Sequence, residues 1–423
     1  VDISRKISHV IKRKPKGNSM EYLGLPYLQE KLNRVSAHCK VRYVFYEMKN
    51  KTFDFGISTP PELKKWNSVV GWCAKTVDAL ADRLDFYSFK DDIFGLEEIY
   101  NQNNKDVLID SAILGSLITS CDFIYISEDE TGYPRMEVID GCNATGVIDV
   151  TTNLMNEGYA ILERDLHGSP IREAYFTREY TAYYENGKLT DTRKNKTPYA
   201  LLVPIIYRPD SKRPFGHSRI SRACMEHTAS AIRTIKRSEI AAEFYSFPQK
   251  YVTGIDNTSE QFDKWAATMS AMLKFGLNSD GNDHVKVGQF TQQSMSPHVD
   301  QLKMFASLFA GESGLTLEDL GFPSNNPSSS EAIKAAHENL RVAANKAHKC
   351  FGNGLINAGY LCACIRDNVK YSRSQLYMTK ALWTPVFPAD VSMLGSIGDA
   401  LGKIETAIPG YLTEEKLYQL TGI

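Results

Sequence analysis

His337 and Glu338 stand side by side, as in the first half of HExxH, but the second His is missing, so two imidazoles cannot meet on one helix face to hold zinc. The pair reads as surface residues of a helix. His217 and His227 lie ten positions apart, a spacing that joins them in one site only by accident of folding. The run Glu128-Asp129-Glu130 falls in a predicted hairpin turn and reads as solvated turn residues rather than paired carboxylates. Cys39, Cys73, Cys121, Cys142, Cys224, Cys350, Cys362 and Cys364 are scattered through apolar stretches without a CxxC pair or a neighbouring His. Cys362 and Cys364 are one residue apart, which on a helix puts them on different faces. The expectation is reduced, buried thiols. There is no GxxxxGK[ST], GxGxxG or GxSxG, hence no phosphate cradle and no nucleophile elbow. No residue set supports an enzyme, and neither a metal nor a cofactor is expected.

What remains is polarity and charge. The 423 residues carry 49 Lys+Arg against 50 Asp+Glu, a net charge of -1, which does not fit a tight electrostatic clamp on nucleic acid. Hydrophobic content of 43% and charged content of 23% suit a globular chain of two to three domains. Arg5, Lys6, Lys12, Arg13, Lys14 and Lys16 make a basic arm of residues 1–19, read as solvated or as contacting a neighbour or nucleic acid. No secretory signal is expected from this basic start, and the longest apolar run, Ala112 to Ile118, is too short to cross a bilayer. The stretch LGFPSNNPSSSEAIKAAHENL joins an uncharged polar loop to a helical pattern. Ser328 with Glu331 fits a capping box, and Ile333, Ala336, Leu340, Ala343, Ala347, Phe351, Leu355, Ala358, Cys362 and Ile365 recur at three and four, so one long helix is expected. Gly352, Gly354 and Gly359 would weaken it, bend it or permit close packing.

The elements that position this loop follow from periodicity. Helices are predicted at Glu21–Arg34, Pro61–Leu84, Gly95–Tyr100 and Asp106–Ser120. Hairpins follow in ISEDETGYPRMEVI, YAILERDLHGSPIREAYF and YTAYYENGKLTDT, the last turning at Asn186-Gly187, and LLVPIIY reads as a strand with an edge Pro204. The fold class is α+β. A long helix from Ser218 to Phe247 carries the stripe Ile220, Cys224, Thr228, Ala231, Ile232, Ile235, Ala242 and Tyr245. A small insert follows: QKYVTGI as strand, SEQFDKWAATMSAMLKFG as helix, HVKVGQF as strand. Then come a helix at Pro297–Glu312, the polar loop, the long helix, and near the end a helix in LTEEKLYQLTG.

This order resembles the portal proteins of tailed bacteriophages, in the siphophage branch. The likeness rests on WNSVVGWCAKTVDALADRLDFYSF, on PFGHSRISRACMEHTASAIRTIKRSEIAAEFYSFPQKYVTG, on GLTLEDLGFPSNNPSSSEAIKAAHENL, and on the hairpin GSLITSCDFIYISEDETGYPRMEVI, in that family's order over roughly residues 20 to 370. It implies a portal-like architecture: a helical stem with an α/β wing and a small α/β clip. The implied layout is a wing at 20–216, a first stem helix at 217–247, a clip at 248–294, a second stem helix at 295–315, a tunnel loop at 316–329, a long wing helix at 330–366 and a C-terminal or crown region at 367–423. It implies a ring, dodecameric in the virion, at one capsid vertex, assembled in the host cytoplasm. Double-stranded DNA would enter and leave through the ring. The implied partners are terminase, a head-tail adaptor and the major capsid or scaffolding protein, with no membrane. On that layout Ser324, Asn325, Asn326, Ser328 and Ser329 face the DNA channel, Lys250, Lys274 and Lys286 meet a partner or DNA from the clip, and Arg233, Lys236 and Arg237 are stem charges. The stem helices' apolar stripe would pack against the neighbouring subunit. The rival readings are a head or connector protein without a DNA bore, and a soluble enzyme whose site leaves no motif.

Overall fold

The computed structural model describes residues 24–52, 67–246, 250–255, 272–276, 286–289, 294–323, 330–387, 391–413 and 417. Helix α1 (Leu25–Tyr46) starts behind Gly24, whose φ of 97° favours glycine, with a proline in its first turn. It outruns the predicted end at Arg34 because Ser36 and Cys39 extend the buried stripe begun by Leu28 and Leu32. Helix α2 (Trp72–Ala81) is shorter than the span Pro61–Leu84. Residues 67–71 are not helical: the Ser68 hydroxyl donates to the Glu239 carboxylate at 3.1 Å, and Val69 points to solvent while Val70 is buried. The part from 61 to 66 lies outside the described residues.

Strand β1 (Phe86–Lys90) precedes α3 (Leu96–Asn101), whose first two amides donate to the Asp92 carboxylate at 2.8 Å each. Helix α4 (Lys105–Thr119) then turns through Ser120 into β2 (Cys121–Glu128). Asp122 is buried at this corner, accepting from the Thr119 hydroxyl and the Gly141 N–H, both at 2.9 Å. Desolvation holds its carboxyl well above the usual carboxylate range. Only glycine fits at 115, since a Cβ there would sit 1.7 Å from Asp122 Oδ2.

The predicted hairpins form two antiparallel sheets. In one, β2 lies between β3 (Pro134–Ile139) and β9 (Leu202–Ile206), with Ile124 opposite both Val138 and Val203. Pro204 sits opposite Phe123 in an edge strand, where its missing N–H costs the ladder nothing. In the other, β4 (Ala144–Ile148), β5 (Met155–Arg164), β6 (Pro170–Phe176), β7 (Tyr180–Glu185) and β8 (Lys188–Lys194) pair in chain order. The Asn186-Gly187 turn has φ of 50° and 75°, as a type I′ hairpin requires.

Helix α5 (Arg222–Ser246) leads to a three-stranded sheet of β10 (Lys250–Ile255), β11 (Met272–Gly276) and β12 (Lys286–Gln289). The end of the predicted insert helix is corrected: MLKFG is a strand running parallel to β10, with Lys274 opposite Val252. Parallel neighbours need a long crossover, and residues 256–271, outside the described set, are what connects them. Helix α6 (Ser296–Ser313) matches its prediction.

The expected single long helix is divided into α7 (Ser330–Ala336) and α8 (Glu338–Arg366), with His337 between them at φ -92° and ψ 11°. Its glycines are points of close approach, not bends. A Cβ on Gly354 would lie 2.8 Å from Ile205 Cδ1, and one on Gly359 would lie 3.0 Å from Leu96 Cδ2. From Phe351 to Ile365 all but one residue of α8 is buried, walled by β9, α3, β2, β3 and β13 (Lys380–Trp383). Tyr207 stacks on Phe351 with centroids 6.1 Å apart, and Tyr100 donates to the Leu355 carbonyl at 2.7 Å. Strand β13 pairs with β1, tying a late segment to an early one. Helix α9 (Val391–Ala407) was not anticipated, and the predicted helix at the end of the chain lies almost wholly outside the described residues.

Candidate functional site

The polar loop can be followed to its two feet; Ser324, Asn325, Asn326, Ser328 and Ser329 themselves lie outside the described residues, as does the predicted capping contact of Ser328. On the incoming side α6 stops at Gly314 with φ of 72°. The next turn is closed by Asp319, whose Oδ2 accepts from the Thr316 N–H at 3.0 Å and the Thr316 hydroxyl at 2.9 Å. Leu317 then receives the amides of Leu320 and Phe322, at 3.1 and 3.0 Å. On the outgoing side His337, at the α7–α8 break, brings Nδ1 to 3.6 Å from Asp319 Oδ2. The two feet therefore meet, around a cavity of about 430 Å³ lined by Lys303, Leu317, Phe322, Ile333 and His337 among others. His337 and Glu338, read as a surface pair, divide their roles: His337 faces the loop's base, while Glu338 holds Arg341 through two bonds of 2.7 and 2.6 Å.

The loop stands on an antiparallel pair, α5 and α6. Ser221 donates to Glu312 at 2.7 Å near one end, and Thr234 contacts Gln301 at 3.3 Å further along. Arg219 plants the pair in the α+β region, bonding the Thr76 carbonyl at 3.1 Å and the Ser313 carbonyl at 2.6 Å. Trp72 packs on Phe309 at 5.5 Å and the Cys73 thiol lies 3.3 Å from the Thr228 hydroxyl. The α5 stripe is real from Ile220 to Ile232, but its use is corrected. It is filled by α6 and α2 of the same chain, because two helices joined through a small sheet fold back on each other before any neighbour is needed. On α6, Met304 and Leu308 are about half exposed on the side away from its buried stripe, and Val299 is exposed near the helix start. Sequence reading missed this face. The signal was present: Val299, Leu302, Met304, Phe305, Leu308 and Phe309 wrap more of the helix than one partner can cover.

Of the stem charges, Arg233 and Lys236 are half-buried and Arg237 is exposed; Arg233 donates to Ser230 at 2.8 Å. Lys250, Lys274 and Lys286 are brought to one small sheet. Its register sets Lys250 and Lys274 at positions of one face, and Lys286, opposite Thr253, at a position of the other. His217 does not meet His227; its Nε2 lies 2.6 Å from Asp210, whose carboxyl this contact lowers to about 2. All eight cysteines are free and seven are buried. Among the described residues no three metal-ligating side chains cluster, and no helix is long and apolar enough to cross a membrane.

The described residues thus form an α+β body, an antiparallel helix pair and a loop base whose two feet adjoin. No family model matches the chain. It is similar to the portal protein of Mycobacterium phage L5, 23% identical over 337 residues that cover 73% of this chain and 67% of that protein. It is likewise similar to the portal protein of Mycobacterium phage D29, 22% identical over 334 residues with the same coverage. Among solved structures it superposes at a TM-score of 0.44 and 10% identity on a chain of the virion of a native gene transfer agent particle. That match covers 83% of this chain and 89% of the other. The same figures hold for a chain of that particle's neck, computed with C12 symmetry. The resemblance to phage portal proteins is thus found in curated sequences as well, and those relatives are structural proteins of the virion, not enzymes.

Proposed function

We propose that this chain is one subunit of a ring-shaped phage portal, dodecameric in the virion, set at one capsid vertex and forming the channel for DNA packaging and ejection. In that reading residues 20–216 are the wing, 217–247 and 295–315 the stem helices, 248–294 the clip, 316–329 the tunnel loop, 330–366 the long wing helix and 367–423 the crown region, with 1–19 as a basic arm. Terminase and the head-tail adaptor dock at the clip, where Lys250, Lys274 and Lys286 are the candidate contacts. The capsid or scaffolding protein surrounds the wing.

The observation that carries the reading is the pair Met304 and Leu308, half exposed on α6, the helix that leads to a loop whose two feet adjoin, in a chain similar to two portal proteins over most of its length. A ring supplies the missing cover by placing the next subunit there. It also explains the loop's composition. Symmetry repeats every side chain around the bore, so a single Lys would become a belt of cations that holds phosphates through counterion release. Ser and Asn offer only weak contacts that reform as the duplex slides. In this reading the adjoining feet hold the loop's base in place of the continuous rod expected from sequence.

Negative-stain microscopy of the purified chain tests the ring. Annuli with a hole of duplex width are expected; discs without a bore favour a connector protein, and compact monomers remove the proposal. Asn325→Lys with Asn326→Lys tests the loop separately. Rings should form as before and DNA packaging should stall, and packaging at the normal rate would show that these residues do not face the duplex.

A further inference from the structure

A groove runs beside β13, and at one end its Phe387 lies 6.4 Å from the His337 ring at the loop's base. It consists of two adjoining cavities of about 420 and 550 Å³, which share His348, Lys349, Ala381 and Trp383. Its floor is apolar. Trp383 lies flat on His348, centroids 4.7 Å apart and planes 11° from parallel, and Ile356 and Leu376 continue the floor. β13 reaches this close to α8 because residue 352 is glycine: a Cβ there would be 2.9 Å from that of Ala381.

The groove's charge is one-sided. Lys349 from α8, Arg373 from a short helical turn (Arg373–Leu376) and Lys380 from β13 line it, and no Asp or Glu lines either cavity. None of the three cations has an acidic partner among the described residues. Arg373 is held by neutral amides, Nε to Asn357 at 2.6 Å and Nη2 to Asn353 at 3.4 Å, leaving Nη1 unused. A partly buried guanidinium set in place by amides and not neutralised is a preorganised carboxylate site. His348 adds no charge at neutral pH, since burial lowers it to about 4. Among the described residues β13 pairs only with β1, so its other edge keeps unpaired backbone groups.

We propose that this groove docks an extended acidic segment of a partner polypeptide, its carboxylates meeting Lys349, Arg373 and Lys380 and an apolar side chain resting on Trp383. Cations around an aromatic floor beside a strand edge suit an extended segment that carries both acidic and apolar side chains. A duplex offers the cations phosphates but brings nothing apolar to a floor of Trp, Ile and Leu. The groove lies within one chain and needs no ring, so its failure and that of the portal reading are separable.

The test is fluorescence anisotropy with a labelled peptide of alternating Glu and Leu, its Gln-for-Glu counterpart, and a short labelled DNA duplex. The Glu peptide should bind and the Gln peptide should bind weakly. Lys349→Glu with Lys380→Glu should weaken the Glu peptide by about tenfold or more. Both lysines are exposed, and Lys349→Gln with Lys380→Gln gives the same readout with a milder change, its fold checked by circular dichroism. Equal binding of the two peptides, or an affinity untouched by both lysine pairs, overturns the proposal. So does tighter binding of the duplex with the same lysine dependence, which would make the groove a nucleic-acid surface.

Discussion

The second half of α8 and the α5–α6 pair are both long helices, yet they answer to different constraints. From Phe351 to Ile365 α8 is enclosed almost on every side by its own chain, and its glycines exist to let β9, α3 and β13 come close. The α5–α6 pair is covered on one side and leaves Val299, Met304 and Leu308 in water. The first is settled by intramolecular packing. The second keeps apolar side chains in water, the kind of surface that a further contact can cover.

The difference can be broken most severely at Phe351. Its ring is fully buried against Tyr207, so Phe351→Ala should cost about 3–5 kcal/mol in urea unfolding. A loss under about 1 kcal/mol would mean that this half of α8 is not the packed centre described. His348, at the margin of the same helix, gives the next effect. Burial lowers it in the folded state to about 4 from an ordinary 6.5. Its contribution is therefore complete above pH 6.5 and is lost progressively as pH falls from 6.5 to about 4, the window in which the unfolded chain binds a proton that the folded chain refuses. Wild type should lose about 2 kcal/mol more than His348→Phe between pH 7.5 and 4. Parallel pH profiles for the two proteins would contradict the burial of that imidazole. At the loop's base, Asp319→Ala removes the acceptor of both Thr316 bonds and should cost about 1 kcal/mol by thermal unfolding. The smallest effect on stability belongs to the helix pair. Met304→Asp with Leu308→Asp should change monomer stability by no more than about 0.5 kcal/mol and abolish ring assembly in sedimentation. A large loss of stability there would place those side chains in a core.

Local chemistry was legible in the sequence wherever a local rule decides the outcome. Asn186-Gly187 announced its hairpin because that turn demands positive φ at both positions. The stripe from Ile220 to Ile232 announced α5, since periodicity is a property of the helix itself. The same stripe could not name its partner, and the expectation of an intersubunit contact was met by α6 and α2 instead. MLKFG was read as the end of a helix because it continues one; its pairing with Lys250–Ile255 is non-local and leaves no mark in a short window. Much of the polar loop could be named as uncharged, but not placed.

The sequence by itself determined the class of the fold, much of the order of its elements and the likeness to portal proteins. Those depend on residue type, spacing and order, which survive in one dimension. Only the tertiary structure decided that α8 is separated from α7 at His337, that the two feet of the loop adjoin around one cavity, and that Lys349, Arg373 and Lys380 share one groove. Each of these joins residues brought together by folding, and the energy that joins them is absent until the chain has closed around them.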